Sequence, residues 1–272
     1  MSTKTIVITR PAGQARQQVE LLQKAIDQSD IRSEVNIISL PLLTIVPKDN
    51  GQLADHIASA LKDADLAIFV SPNAIESVMR LLKRDWQNFP MKTIPVGVMG
   101  GSSRLALNNH GIGLEKVPTQ VLMPKDSGKW DSEGLWQELQ KLGWDWATKK
   151  IVIFKGDGGR AWLADILKNA GATVEAISTY IRIPLDLDHP AWQSVREMNL
   201  STSLWMLTSS EAVRYLGSVA KDQFVQSLNL AHAICPHDNI ADAAQAIGFG
   251  EVFITEPGDE ALIKAALAWL SI

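Results

Sequence analysis

The densest chemical signal in the sequence is Lys155-Gly156-Asp157-Gly158-Gly159-Arg160. It follows the apolar run Ile151-Val152-Ile153-Phe154 and precedes a helical pattern over residues 161–170. Glycines let main-chain N–H groups approach an anion, and the start of a helix favours negative charge. Lys155 and Arg160 add a cation at each end. The chemistry on offer is anion binding. The plain alternative is a strand–helix turn that needs glycine for geometry alone. No Gly-Lys-Ser/Thr follows, and Gly156, Gly158 and Gly159 miss the third glycine of a dinucleotide fingerprint, which argues against a nucleotide-dependent oxidoreductase.

Arg10 holds the place equivalent to Lys155, at the end of the first apolar run. Two cations at equivalent strand ends can face one cleft; a solvated surface charge is the other reading of Arg10. Three hydroxyl turns also follow strand-like runs: Ser71, Ser102-Ser103 and Thr208-Ser209-Ser210. Each suits a helix cap, worth ~1 kcal/mol. Several at the same edge of two sheets would form a polar, amide-rich rim suited to carboxylates, each helix start adding ~0.3–1 kcal/mol. None of the five histidines sits at metal-ligand spacing beside a carboxylate, so no metal is expected. A Gly-x-Ser-x-Gly elbow is absent, and nothing in the sequence activates Cys235.

The elements that must position these groups alternate between short apolar runs and amphipathic helices. Strands are expected at 6–9, 66–70 and 93–99, and helices at 14–26, 53–61 and 102–110; the alternation resumes at Ile151. Pro72 suits the first helical turn after a Ser71 cap. This pattern predicts parallel sheets covered on both faces. It also repeats. Ile6–Pro11 resembles Ile151–Gly156, Ile68–Ile75 resembles Met206–Val213, and Val98–Gly111 resembles Cys235–Gly248, in a shared order. Two related halves are expected, against the alternative that any two α/β halves look alike. The extended stretches 35–46 and 174–183 occupy matching places. Each is expected to leave one sheet and enter the other. The first domain is then residues 1–39 with 180–272, the second residues 40–179, with a ligand cleft between them.

Composition excludes several classes. The 272 residues are 46% hydrophobic and 21% charged, which excludes wholesale disorder. Lys and Arg total 26 against 30 Asp and Glu, so the basic excess of a general nucleic-acid binder is missing. One cysteine excludes an internal disulfide framework and fits a reducing cytosol. The uncharged stretch at 35–47 is too short for the ~20 residues a bilayer needs, and Pro41 interrupts it. No export signal precedes the first strand. The expectation is a cytoplasmic monomer with no membrane or nucleic-acid partner.

Taken in order, these pieces resemble the uroporphyrinogen-III synthase family. They are Val7-Ile8-Thr9-Arg10-Pro11, Phe69-Val70-Ser71-Pro72-Asn73-Ala74, Ser132-Glu133-Gly134-Leu135, the Lys155–Arg160 turn, Gly171-Ala172-Thr173-Val174 running to Tyr180, Leu207-Thr208-Ser209-Ser210-Glu211-Ala212-Val213 and Ile240-Ala241 to Gly248-Phe249. Together they span nearly the whole chain. The resemblance implies an α/β fold of two parallel-sheet domains, doubly wound and flavodoxin-like, joined by two crossing strands. It implies an enzyme that takes linear hydroxymethylbilane, eliminates water, closes the ring and inverts ring D without a cofactor.

Such a substrate carries many carboxylates, and a net −4 chain must bind it locally. Arg10, Ser71, Ser103, Lys155, Gly156, Gly158, Gly159, Arg160, Thr208, Ser209 and His237 are the expected contacts. For His237 a surface turn is the competing reading. Tyr180 matches the family's candidate tyrosine and is expected as the acid or hydrogen-bond donor, against a tyrosine that only satisfies a structural bond. The chain departs from the family at Val70, where a threonine is usual, and at the turns Gly100-Gly101-Ser102-Ser103 and Pro236-His237-Asp238-Asn239-Ile240, which shifts expected contacts to main-chain amides. A non-catalytic two-domain module for a small polycarboxylate is the alternative reading.

Overall fold

The computed structural model describes residues 3–31, 34–48, 51–83, 86, 93–114, 119–126, 130–223 and 227–272. The chain divides into two compact units, Met1–Thr44 with Ile183–Ile272, and Ile45–Arg182.

The first unit holds strands β1 (Lys4–Ile8) and β2 (Val35–Ser39), joined through α1 (Ala12–Asp27). Strand β3 (Leu43–Pro47) follows, and the second unit takes over with α2 (Leu53–Asp63), β4 (Leu66–Phe69), α3 (Pro72–Leu82), β5 (Val96–Val98), α4 (Gly101–Asn109), β6 (Val121–Leu122), α5 (Ser132–Gln140), β7 (Lys150–Gly156), α6 (Trp162–Asn169) and β8 (Thr173–Pro184). The chain then returns to the first unit through α7 (Ala191–Glu197), β9 (Ser203–Met206), α8 (Ser210–Gln223), β10 (His232–Cys235), α9 (Asp238–Ala246), β11 (Glu251–Ile254) and α10 (Asp259–Leu270).

The central strands of each sheet bury both faces, and the period of two along them divides the side chains between the faces. In the first unit, Ile6, Ile8, Leu204 and Met206 pack with α1 and α10, while Val7, Trp205 and Leu207 pack with α7, α8 and α9. In the second, Leu66, Ile68, Ile151 and Ile153 face α5 and α6, while Ala67, Phe69, Val152 and Phe154 face α2, α3 and α4. Continuous apolar runs such as Leu66–Phe69 therefore read as strands with no polar side.

The strand order is β11-β10-β9-β1-β2 in one sheet and β3-β8-β7-β4-β5-β6 in the other. The pairs β1–β2, β1–β9, β4–β7 and β7–β8 are all parallel. Matching β1 with β7, β2 with β8, β9 with β4, β10 with β5 and β11 with β6 gives both sheets the flavodoxin-like order 2-1-3-4-5. The second sheet adds β3 beside β8, and its β7–β8 pair, the counterpart of β1–β2, comes last in the chain rather than first. The three similar motif pairs fall on these matched strands.

Two details differ from the sequence expectation. The extended stretch 35–46 is not continuous: β2 ends at Ser39 and β3 starts at Leu43. Pro41 lacks an N–H and cannot sustain a ladder there. The stretch 174–183 does not enter the other sheet. It lies within β8, which belongs to the six-stranded sheet alone, and the chain returns to the first unit at Ile183, near the end of that strand. Among the described residues, no helix is long and apolar enough to cross a membrane.

Candidate functional site

In an open parallel sheet, ligands bind beyond the carboxyl ends of the strands where the order reverses, because helices leave there to opposite faces and open a crevice. In the second unit that point lies between β7 and β4. Strand β7 feeds the Lys155–Arg160 turn and α6 on one face, and β4 feeds Ser71 and α3 on the other. Ser71 is the cap of α3: its Oγ accepts from the Ala74 N–H at 3.2 Å, with Pro72 in the first turn. Gly158 and Gly159 have φ of +68° and +78°, a conformation that side chains strain to adopt. These glycines, with Lys155, Gly156, Arg160 and Arg182, line a cavity of about 370 Å³ whose apolar wall includes Val70, Met99 and Leu163.

Tyr180 comes to this point from the neighbouring strand β8. A register shift at Lys155/Gly156 sets it opposite Gly156. The whole residue, hydroxyl included, is buried in the same core cluster as Phe69, Val98 and Phe154, and its ring packs on the bare Cα of Gly156. Its Oη lies 3.0 Å from Ser71 Oγ and accepts a 3.0 Å bond from Arg182 Nη2. The Arg182 guanidinium also sits over the ring, 5.1 Å from its centroid. Three sequence-expected residues, Ser71, Gly156 and Tyr180, are thus in contact.

The turn itself is held from outside. Asp157 Oδ1 accepts from Lys48 Nζ at 2.7 Å and from Ser178 Oγ at 2.8 Å. Those bonds, Lys48 first, hold the carboxyl below its usual range. The Asp157 N–H donates to the Tyr180 carbonyl at 2.9 Å, and Arg182 Nη1 donates to the Asp157 carbonyl at 3.3 Å. Arg160, expected as an anion-binding cation, is ion-paired with Glu133 of α5 at 2.5 Å. Ser103 is not at the cavity rim; it is buried in the first turn of α4, 3% exposed.

The first unit has its own reversal point, between β1 and β9. Arg10 follows β1 and is ion-paired with Asp259, at the start of α10, at 2.5 Å. Thr208 and Ser209 follow β9; Ser209 Oγ accepts from the Ala212 N–H at 3.3 Å in the first turn of α8. His237 caps α9 with its main chain only. Among the described residues, no hydrogen bond joins Arg10, Thr208, Ser209 and His237 to one another.

The sequence assigned no role to Asp157 within the glycine turn, and Lys48, Ser178 and Arg182 were not singled out. The signal for Arg182 was present, because residues i and i+2 share a strand face and Tyr180 was already singled out. Lys48 and Ser178 carried no local signal, since their meeting with Asp157 depends on β8 lying between β3 and β7.

A family model described as uroporphyrinogen-III synthase HemD matches residues 31–264. The chain belongs to the uroporphyrinogen-III synthase family. The uroporphyrinogen-III synthase of Escherichia coli (strain K12) is 28% identical over 234 residues, covering 83% of this chain and 87% of that protein. That of Salmonella typhimurium is 27% identical over 232 residues, covering 84% and 88%. Among solved structures, uroporphyrinogen-III synthetase from Helicobacter pylori 26695 aligns with a TM-score of 0.59 at 16% identity, over 97% of this chain and 99% of that one. A mutant uroporphyrinogen III synthase from Thermus thermophilus aligns with a TM-score of 0.58 at 14% identity, over 98% and 99%. These two alignments bear on the fold: a two-domain α/β protein of parallel sheets, the class the sequence predicts.

Proposed function

We infer that this chain is a cyclising lyase that closes linear hydroxymethylbilane to uroporphyrinogen III, with loss of water and inversion of ring D. The observation that carries this is the family match over residues 31–264, nearly the whole chain. It acts on a small-molecule substrate; we propose that it does so as a cytoplasmic monomer.

The residues divide into two tasks in this reading. The first is to hold carboxylates. We assign it to the main-chain N–H groups of the glycine turn and to Lys155 and Arg160 in the second unit. Arg10, Thr208, Ser209 and His237 take it in the first. Ser103 is left out of this set, since it is buried within α4. The substrate's acetate and propionate groups displace Glu133 from Arg160 and Asp259 from Arg10, exchanging one carboxylate partner for another.

The second task is proton delivery. The hydroxyl at the end of the bilane leaves with the C–O bonding pair, and a donated proton lets it depart as water. The pyrrole left behind is an electron-deficient azafulvenium cation, whose charge is discharged only when ring D loses its proton. The substituted carbon of ring D attacks the exocyclic carbon to give a spiro intermediate. The bond from that ring D carbon to its original methylene then breaks, and the unsubstituted carbon of ring D bonds to that methylene, which closes the ring with ring D inverted, as isomer III. The donor recovers its proton when the unsubstituted end of ring D loses hydrogen on re-aromatising. Tyr180, paired with Ser71, is the assigned donor. General-acid help of this kind contributes ~10²–10⁴-fold, and orientation of ring D does the rest.

The test is an isomer assay. Hydroxymethylbilane is generated in situ, the purified protein is added, and the oxidised porphyrins are separated by chromatography. A dominant isomer III peak is expected. Isomer I alone, at the enzyme-free rate and with folded protein, overturns the synthase reading and leaves a polycarboxylate-binding module.

A further inference from the structure

We propose that Arg182 is a positioning residue that sets the Tyr180–Ser71 hydroxyl pair to donate a proton rather than accept one. This rests on the assignment of that pair as the proton donor, and it adds a residue and a direction to it.

The pair has two O–H protons, one from each side chain. One of them bridges the 3.0 Å between Tyr180 Oη and Ser71 Oγ, in whichever direction. The other described partners are Arg182 Nη2, 3.0 Å from Tyr180 Oη, and the Ala74 N–H, 3.2 Å from Ser71 Oγ. Both can only donate, because a guanidinium carries no acceptor and an amide nitrogen accepts nothing. Two protons minus the one shared leaves one O–H with no acceptor among the described residues. Three of the pair's four lone-pair positions are filled at the same time. The capacity the pair presents to a substrate is therefore mainly donation, which the departing hydroxyl requires.

Arg182 is the member of this set that the local fold does not already supply. The Ala74 N–H is part of the ordinary cap of α3. Removing Arg182 returns a lone pair to Tyr180 Oη, so water or substrate can donate into it and the bias is lost. Arg182 also ties the phenol to the glycine turn, since its Nη1 donates to the Asp157 carbonyl. Placement two residues after Tyr180 on β8 puts both side chains on one strand face, so the bond survives small movements of the strand.

A double-mutant cycle with isomer analysis tests this. Arg182→Met should lower kcat by ~10–100-fold, a part of the ~10²–10⁴-fold that a general acid contributes, with KM nearly unchanged. Arg182→Lys, which also only donates, should recover most of that loss. With Tyr180→Phe as background, adding Arg182→Met should change kcat by less than about twofold, because its effect runs through the phenol. Losses that multiply in the double variant overturn the proposal, as does an Arg182→Lys variant as slow as Arg182→Met while melting like wild type. A loss confined to KM also overturns it, and makes Arg182 a carboxylate-binding residue instead. Nitrogen-15 NMR of the arginine side chains gives a readout independent of turnover. The slowed rotation of the Arg182 Nη groups should relax in Tyr180→Phe, and an unchanged signal counts against the bond. If wild type yields only isomer I, the synthase reading fails, while the NMR result still decides the Arg182–Tyr180 link.

Discussion

The Tyr180 ring lies directly on the Cα of Gly156. A methyl group added at Gly156 would stand 2.6 Å from Cε2 of the ring, 2.7 Å from Cζ and 3.1 Å from the hydroxyl. Real side chains do not tolerate such distances, so the ring would have to move. The glycine is required here by close approach, not by backbone conformation: Gly156 is the last residue of β7 and its φ is not positive.

Gly156→Ala is therefore expected to act on the tyrosine before it acts on the turn. Overpacking of this kind costs about 1–3 kcal/mol. Each kcal/mol lowers Tm by ~2–4 °C in a chain of this size class. The displaced hydroxyl loses its 3.0 Å approach to Ser71, so turnover should fall with stability. Scanning calorimetry and the isomer assay read the two effects together. Wild-type kcat in a folded Gly156→Ala protein would detach the Gly156–Tyr180 contact from the chemistry.

Arg10 makes a second case of a cation with an internal partner. Its pair with Asp259 is partly shielded, with side-chain exposures of 18% and 34%. Pairs near the surface are worth ~0.2–1 kcal/mol, so a substrate carboxylate can take the place of Asp259 at little cost. Arg10→Met should raise KM for hydroxymethylbilane. Asp259→Asn should lower it, by up to about fivefold on that scale. If Asp259→Asn instead raises KM as far as Arg10→Met does, the carboxylate positions Arg10 and does not compete for it.

Much of the architecture was legible because each level of the sequence agreed with the next. Leu66–Phe69 and Ile151–Phe154 are apolar without alternation, and both became central strands with two buried faces. Ser71 and Pro72 announced the start of α3, and the cap bond is there. The site was legible only in part. Ser71 and Tyr180 are 109 residues apart, and nothing local links them. Their contact follows from β8, β7 and β4 lying side by side and from the register shift at Gly156. The pairing of Arg160 with Glu133 has the same origin, since α5 and α6 share one face of the sheet. Types and spacing revealed which residues could bind anions, but not which already had a carboxylate partner.

Cys235 provides a check on the first unit that is independent of turnover. It ends β10, is fully buried in the core beside α8 and α9, and burial pushes its thiol up to about 12. Only the thiolate attacks a disulfide reagent. Relative to the ordinary value of 9.0, the native protein should react about a thousandfold more slowly at pH 8. Titration with an aromatic disulfide reagent should show no fast phase until denaturant is added. A stoichiometric fast phase in native protein would place Cys235 at the surface.

Asp157 carries the pH dependence of the glycine turn. Lys48 and Ser178 favour its ionised form in the folded chain, so its pKa lies below the ordinary value of 3.8. In the unfolded chain it returns to ~3.9. A lowered carboxylate pKa means the unfolded state binds the proton more readily, so stability falls as pH drops. The contribution is complete above the unfolded value and is lost as pH falls through the folded one. Asp157→Asn removes the titrating group and the anion that Lys48 meets. The variant should be less stable than wild type by the same small amount at pH 5 and pH 7, because the pair is exposed to solvent and screened. The difference should shrink below about pH 4 and vanish once Asp157 is protonated in the fold. Urea midpoints at about pH 7, 5, 3.5 and 2.5 give the curve, and Lys48→Met should follow the same course. A difference that stays constant to the lowest pH would mean that packing of the side chain, not its charge, holds the turn.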